Sequence, residues 1–491
     1  MTLNVSEIIR LLSPELILLI TGFVVIGVDL ARRREDEGRM AAAVAVVGLI
    51  LAALAAMSLY LTSPNEIVLL TLAVDLYGLF FKVAAFIGVA LVIIASVNYM
   101  AGRSKYLGEF YALLVFAALA ISVLVSATNL ILIYVGVEFL SITSYILAGF
   151  LRGDVRSEEA AIKYFLYGAS AGAILLFGMS LLFGLTGSTD LAAVGKALGA
   201  EGDMHWLGLV ALMLVLAGLG YKASLVPFHQ WAPDTYDGAP TPISAFLSTA
   251  SKAAGFAIVG RVFLVAFPQF YPEWTQILAA MAVLTMFLGN LTALKQKSVK
   301  RMLAYSSIGQ AGYILLGLVA VSSDPTFGGV NGLMIYLFGY IFTNVGAFLL
   351  LLPIEKKSGG STDMAQFDGL ATRAPGLALL MSLFLISLAG IPPTAGFIGK
   401  FYVFAAVINQ QMILLGALAA LNTVIAAFYY LNVIRHMYFA ESSVEGGVSV
   451  GRGLMTVLAI NAAMVLAIGI FAQFFMTWVN NSLALVTASG F

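Results

Sequence analysis

Fourteen apolar stretches of about twenty residues or more follow one another along the chain. They lie at 12–31, 40–62, 74–99, 107–126, 129–151, 157–185, 205–226, 240–267, 273–293, 299–320, 327–353, 375–406, 411–438 and 453–480. A helix needs about 20 apolar residues to cross the hydrocarbon core of a bilayer, so each stretch reads as one span. The segments between them are too short for a soluble domain, the longest, such as 354–374, running to about twenty residues. Composition closes the alternative of a large water-soluble protein. Apolar residues make up 61% of the 491 and charged residues 10%, against about 25% charged in ordinary soluble domains. So few charges cannot cover a globule of this size in water. The expected fold is an all-α polytopic membrane protein of about fourteen transmembrane helices. The first span has no A-x-A cleavage pattern and is followed by further spans, so it reads as a retained helix rather than a signal peptide.

The loop charges orient the bundle. The odd-numbered loops hold Arg32, Arg33, Arg34 and Arg39; Arg103 and Lys105; Arg152 and Arg156; Lys295, Lys297, Lys300 and Arg301; Lys356, Lys357 and Arg373; and Arg435 with Arg452 around the last. The even-numbered loops and both ends hold only Arg10 and Lys196. Seventeen against two places the odd loops in the cytoplasm and both termini outside.

Several functions are excluded. Cysteine is absent, which removes disulfides, thiolate-held iron–sulfur clusters and a cysteine nucleophile. The three histidines, His205, His229 and His436, are far apart in sequence, so no metal site is expected. Net charge is zero, against the basic surface that nucleic acid requires. Neither G-x-G-x-x-G nor G-x-x-x-x-G-K-[ST] occurs, so nucleotide binding is not expected.

With Lys300, Arg301 and Arg435 at span edges counted to the loops, six basic residues remain inside spans: Lys82, Lys163, Lys222, Lys252, Arg261 and Lys400. Among the acids Glu138 stands near the middle of one; Glu15, Asp29, Asp75 and Glu109 stand near span ends, where water is expected to reach them. A charge at the centre of a membrane helix costs about 2.5–3.5 kcal/mol on insertion scales. Lys82 and Arg261 lie close enough to span ends to snorkel or to form a local ion pair. Lys163 is open to either reading. Glu138 is too short to snorkel and Lys252 is similarly central, so a functional role is expected for both.

Two spans also carry prolines where a continuous helix cannot. Span 7 reads GYKASLVPFHQWAPDTYDGAPTP, with Lys222 five residues before Pro227. Span 12 reads SLAGIPPTAGFIGKF, with Pro392, Pro393 and Gly396 ahead of Lys400. Proline removes a backbone hydrogen bond and crowds the preceding turn. The freed carbonyls, near Ser387–Ala389 in span 12, are tolerated at membrane depth only when buried in protein or lining a wet cavity. Spans 7 and 12 are five apart, an odd number, so spans 4–8 and 9–13 are expected to be two inverted five-helix repeats with discontinuous helices 7 and 12. Matching breaks in inverted halves point to a transport site near the midplane. The chain then divides into an N-terminal three-helix segment (1–104), a first half (105–268), a second half (269–441) and a C-terminal helix 14 (442–491).

The run YKASLVPFHQWAPDTYDGAPTPISAFLSTASKAAGF (221–256) resembles the signature of the antiporter-like subunits of respiratory complex I, shared with Mrp-type cation/proton antiporters. LIYVGVEFLSITSYIL (132–147), KRMLAYSSIGQAGYILLG (300–317) and LAGIPPTAGFIGKFYVF (388–404) match the same family, so the likeness covers about residues 105–440. The run A-P-T-P-I-S-A-F-L-S-T-A-S-K around Lys252, a lysine at 400 and an end after span 14 resemble the branch called subunit N or subunit 2. The resemblance implies a proton relay in which Glu138 on span 5 pairs with Lys222 on span 7, Lys252 on span 8 connects the halves, and Lys400 on span 12 is the exit group. Lys163 and His229 also match the family; His229, beside the break and near a tryptophan, reads as structural rather than as a proton carrier. The resemblance further implies a bacterial plasma-membrane location and no cofactor in this chain. NADH, FMN, iron–sulfur clusters and quinone are expected in the other membrane and peripheral subunits, its partners, with neighbouring antiporter-like subunits foremost. A subunit of a multisubunit Na⁺/H⁺ antiporter is the alternative, because the signature is shared. A scaffold, with its charges only holding helices together, is disfavoured because buried ion pairs are poor stabilisers.

Overall fold

The computed structural model describes residues 4–32, 38–200, 205–442 and 446–483; Arg33 and Arg34 lie outside the described residues. Thirteen described helices are long and apolar enough to cross a membrane. In order they are Ser13–Ala31, Arg39–Leu61, Leu76–Met100, Leu107–Ser126, Leu130–Ala148, Val155–Thr186, His205–Ala223, Thr241–Ala266, Pro268–Ala293, Val299–Val319, Val330–Ser358, Ile413–Phe439 and Arg452–Ile470. Two shorter apolar helices, 12a (Pro375–Ala389) and 12b (Ala395–Asn409), together make span 12. The fourteen expected spans are therefore all present, the thirteen long helices being spans 1–11, 13 and 14.

The loops sort to two ends. Among the even-numbered ones, Leu72 bridges Ala127, Asn129 bridges Asp190, the Tyr271 hydroxyl donates to Val321 O and Asn409 Nδ2 donates to Asp324. Among the odd-numbered ones, Ser298 bridges Asp363, Gly369 N donates to His436 O and Lys357 Nζ reaches Gly446 O. Successive helices thus run antiparallel, as repeated crossing demands. Helix starts are set locally: Asp75 accepts from Gly78 N at 2.6 Å and Asn129 from Ile131 N at 2.9 Å, each occupying an otherwise unpaired amide.

Spans 8, 10 and 11 are enclosed on nearly all sides, whereas spans 1, 2, 6, 13 and 14 present large apolar side chains outward, among them Phe23, Leu54, Phe177 and Phe428. Such an outside suits lipid and not water.

The structure departs from the sequence reading in several places. A two-stranded hairpin, Glu66–Val68 with Leu72–Val74, lies between spans 2 and 3 in the otherwise all-α chain. Span 8 is not continuous: 8a (Thr241–Ser248) and 8b (Ala250–Ala266) meet at Thr249, whose φ/ψ is −123°/−86°. No proline or glycine stands there. Instead the Ser248 and Thr249 hydroxyls both donate to Ala245 O, at 3.1 and 2.6 Å, a competition with the helix ladder that bends helices. Span 14 ends at Ile470 and a further helix, Ala472–Asn481, follows.

Charges placed at span ends are also better hidden than expected. Glu15 and Asp75 are buried rather than reached by water. Glu15 lies 2.6 Å from Lys82 and accepts from Ser122 at 2.6 Å; Asp75 lies 2.8 Å from Arg261, which also donates to Val125 O at 3.1 Å. Lys82 and Arg261 therefore form ion pairs and do not snorkel. Lys300, counted with a loop, is buried as well: it donates to Ala239 O at 2.8 Å and lies 3.7 Å from Glu355.

Candidate functional site

The first break follows helix 7a (His205–Ala223). Ser224 takes a left-handed φ of 59°, the chain turns through Pro227, and helix 7b (Trp231–Gly238) resumes. The motif residues around Pro227 have separate duties. Trp231 Nε1 donates to Tyr221 O at 3.0 Å, occupying a carbonyl in the last turn before the break, and its ring stacks on Tyr164 at 4.3 Å. Asp234 holds 7b to two other spans, 2.7 Å from Lys163 of span 6 and 2.7 Å from Arg301 of span 10. Lys163 is therefore a half-exposed ion-pair partner, also 2.6 Å from Glu159. His229 is packed inside, and its Nδ1 has no protein partner.

Lys222 is buried in the last turn of 7a. Its ammonium has only loose contacts, 3.4 Å to Ser141 Oγ and 3.4 Å to Tyr164 OH. Ser141 belongs to span 5, one turn beyond Glu138. Glu138 is half-buried, and a β-carbon at Gly172 of span 6 would collide with its carboxylate. The structure thus brings Glu138 and Lys222 to facing helices, but no ion pair joins them among the described residues. On its other side Lys222 packs on span 8: a β-carbon at Gly255 would sit 3.4 Å from Lys222 Cγ. Gly255 is three residues from Lys252, so span 8 carries Lys252 within a turn of this contact.

Lys252 lies in the first turn of 8b, fully buried. It donates to Ser307 O at 2.7 Å and Ser307 Oγ at 2.6 Å. Ser307 is on span 10, and three residues on, one turn or about 4.5 Å along the axis, stands Gln310. Gln310 Nε2 donates to Leu388 O at 2.9 Å and to Tyr430 OH at 3.1 Å, and Gln310 Oε1 accepts from Tyr336 OH. Tyr430 in turn pairs with Ser306 at 2.5 Å.

Leu388 O is one of the carbonyls freed by the second break. Lys400, buried on 12b, donates to it at 3.1 Å and to Ala389 O at 3.0 Å, with its ammonium 4.6 Å from the centre of the Tyr313 ring. The expected need of the 387–389 carbonyls for polar partners is met inside the protein: Lys400 and Gln310 take Leu388 O and Lys400 takes Ala389 O, while Ser387 O accepts from Gly390 N at 2.9 Å. Gly396 lets 12b close on 12a, since a β-carbon there would overlap Ser387 O; Gly396 N donates to Ser387 Oγ at 3.1 Å.

A polar line thus runs from Lys222 past Lys252 and Ser307 to Gln310, Leu388 O and Lys400. The sequence reading found the lysines and missed Ser306, Ser307, Gln310, Tyr336 and Tyr430. A signal was available in AYSSIGQAGY: Ser306, Gln310 and Tyr313 are spaced i, i+4, i+7, a polar face in the middle of a membrane span. Among the described residues no group of three or more His, Asp or Glu is placed to hold a metal ion.

Comparison with known proteins gives a consistent result. Residues 127–426 match the family described as NADH:quinone oxidoreductase/Mrp antiporter, TM. The chain is 41% identical over 490 residues to the NADH-quinone oxidoreductase subunit N of Desulfovibrio desulfuricans, covering 96% of this chain and 95% of that protein. A chain of respiratory complex I from Thermus thermophilus superposes with a TM-score of 0.77 at 33% identity, covering 94% of this chain and 98% of that one. A chain of the Mrp complex from a Dietzia species superposes with a TM-score of 0.85 over 99% of this chain and 98% of its own; at 21% identity that likeness concerns the fold alone.

Proposed function

This chain belongs to the NADH:quinone oxidoreductase/Mrp antiporter membrane family, and from that premise we propose that it is a proton-translocating membrane subunit of an NADH-quinone oxidoreductase. The observation that carries the reading is that each of the three interrupted spans, 7, 8 and 12, bears a buried lysine at or near its break, Lys222, Lys252 and Lys400. Helix breaks in lipid are costly, and they recur in transporters where irregular backbone lines a polar path.

In this reading Glu138 and Lys222 load a proton in the first half, Lys252 passes it across the centre, and Lys400 releases it in the second. Spans 4–8 and 9–13 are the two inverted repeats, within the four-part division at 104, 268 and 441. Lys163 tunes the first break through Asp234, and His229 packs the turn. NADH, flavin, iron–sulfur and quinone chemistry belong to partner subunits, and this chain supplies the proton path. The chain sits in a bacterial plasma membrane with odd loops inside and both termini outside; the support is the seventeen-to-two charge asymmetry.

Two experiments test the reading. Purification of the intact assembly should yield quinone reductase activity coupled to proton uptake into vesicles; sodium-driven proton exchange without quinone reduction would favour the antiporter alternative. Single cysteines placed at Lys297 and Lys357 of this cysteine-free chain should be labelled from the cytoplasmic side, and labelling only from outside would overturn the orientation.

A further inference from the structure

We propose that the seam between span 3, span 14 and the C-terminal end of span 11 is a site for one anionic phospholipid, with the headgroup at the odd-loop end and an acyl chain laid along spans 2 and 3. Two adjoining cavities make the site. The upper one, about 520 Å³, is lined by polar and apolar groups together, including Asn98, Arg103, Lys356 and Ser449. The lower one, about 440 Å³, is apolar throughout, with Leu49, Ile50 and Leu54 of span 2, Phe86 and Ile94 of span 3 and Ile460 of span 14 among its walls. The two meet where Ile94 and Ala95 adjoin on span 3; Gly453 there lies so close that a β-carbon would touch Ile94.

Charge selects the occupant. The upper cavity offers two exposed cations and, among the described residues, no acid in its lining. Arg103 lies over the Tyr99 ring at 3.9 Å, which fixes its guanidinium beside the cavity. Glu355, next to Lys356 in sequence, is turned inward, where it accepts from Thr241 at 2.5 Å and pairs with Lys300. Lys356 is thereby left facing the cavity without that carboxylate. Below, the apolar groove follows span 3 from Val83 to Ile94, about 16 Å at 1.5 Å per residue, over half the thickness of a ~30 Å hydrocarbon core. A cationic mouth above a long apolar groove is complementary to a phosphate ester carrying an acyl chain, and basic pockets between membrane helices on the cytoplasmic side take such headgroups. Leu54 and Ile50 stand 60% and 50% exposed in the groove, so the chain would cover surface this protein leaves bare.

The test uses the intact complex in phosphatidylcholine nanodiscs holding a small share of phosphatidylglycerol with a diazirine on its acyl chain. Illumination should attach the probe near Ile50, Leu54 and Ile94. Unlabelled phosphatidylglycerol should compete and extra phosphatidylcholine should not. Arg103→Gln with Lys356→Gln should weaken labelling about five-fold per charge removed, and Ala53→Trp, which fills the groove, should abolish it. Equal labelling by a phosphatidylcholine probe would overturn the proposal, as would labelling unchanged in the double variant, or crosslinks from these positions to another subunit. Should the double variant fail to assemble, the competition in the wild-type complex decides alone.

Discussion

The two proline breaks carry the same elements, a half-helix, a tight turn and a buried lysine, yet they treat the lysine differently. At the first, the carbonyl of Tyr221 is taken by the Trp231 indole, and Lys222 is left with two hydroxyls at 3.4 Å and Glu138 on the facing helix. At the second, Lys400 itself holds the freed carbonyls of Leu388 and Ala389 at 3.1 and 3.0 Å. An ammonium with weak fixed contacts responds to a neighbouring charge, whereas one bonded to carbonyl dipoles is held in place. The first break is therefore suited to charge-controlled loading, and the second to a defined resting position at the end of the path.

The largest effect should come from the loosely held site. Glu138→Gln or Lys222→Met should remove most proton pumping and the quinone reduction coupled to it, while the complex still assembles. Unchanged pumping in a fully assembled variant would take both residues out of the path. The same comparison has a stability side with the opposite order. Lys400→Met leaves the Ala389 carbonyl without its donor, a loss of about 1–3 kcal/mol, whereas Lys222→Met gives up only long contacts and should cost less than about 1 kcal/mol. Thermal unfolding of the assembled complexes measures the difference; equal losses would erase the distinction between the breaks. Between the two lysine variants falls Trp231→Phe, which keeps the stacking on Tyr164 and removes one hydrogen bond, about 1 kcal/mol. Gln310→Leu should leave first-break stability untouched and slow pumping, because it interrupts the line between Ser307 and Leu388 O.

How much of the molecule can be read from its residues alone depends on which forces are local. Hydropathy over twenty residues fixes a span, and proline breaks a helix through its own ring, so fourteen spans and the breaks near Pro227 and Pro392 are legible. The break at Thr249 is not, because it arises from two hydroxyls competing for Ala245 O in a run of small residues. Nor are the partners of Lys82 and Arg261, which lie 67 and 186 residues away; no local pattern announces so distant a carboxylate. The depth of Lys300 is hidden for the same reason, since Ala239 and Glu355 reach it only in the folded bundle. The buried lysines stand out because an ionisable group in an apolar run is anomalous on its own, whereas serine, glutamine and tyrosine on span 10 are ordinary residues until their neighbours are known.

The relay itself is tested most directly at Lys400, by measuring protons moved per quinone reduced in vesicles that carry the assembled Lys400→Arg complex. Arginine can keep the charge and donate to the same carbonyls, but it does not give up its proton at any accessible pH. Pumping that falls well below the wild-type ratio, with the complex intact, is the predicted result. A wild-type ratio would show that position 400 needs only a fixed positive charge, and would contradict the account.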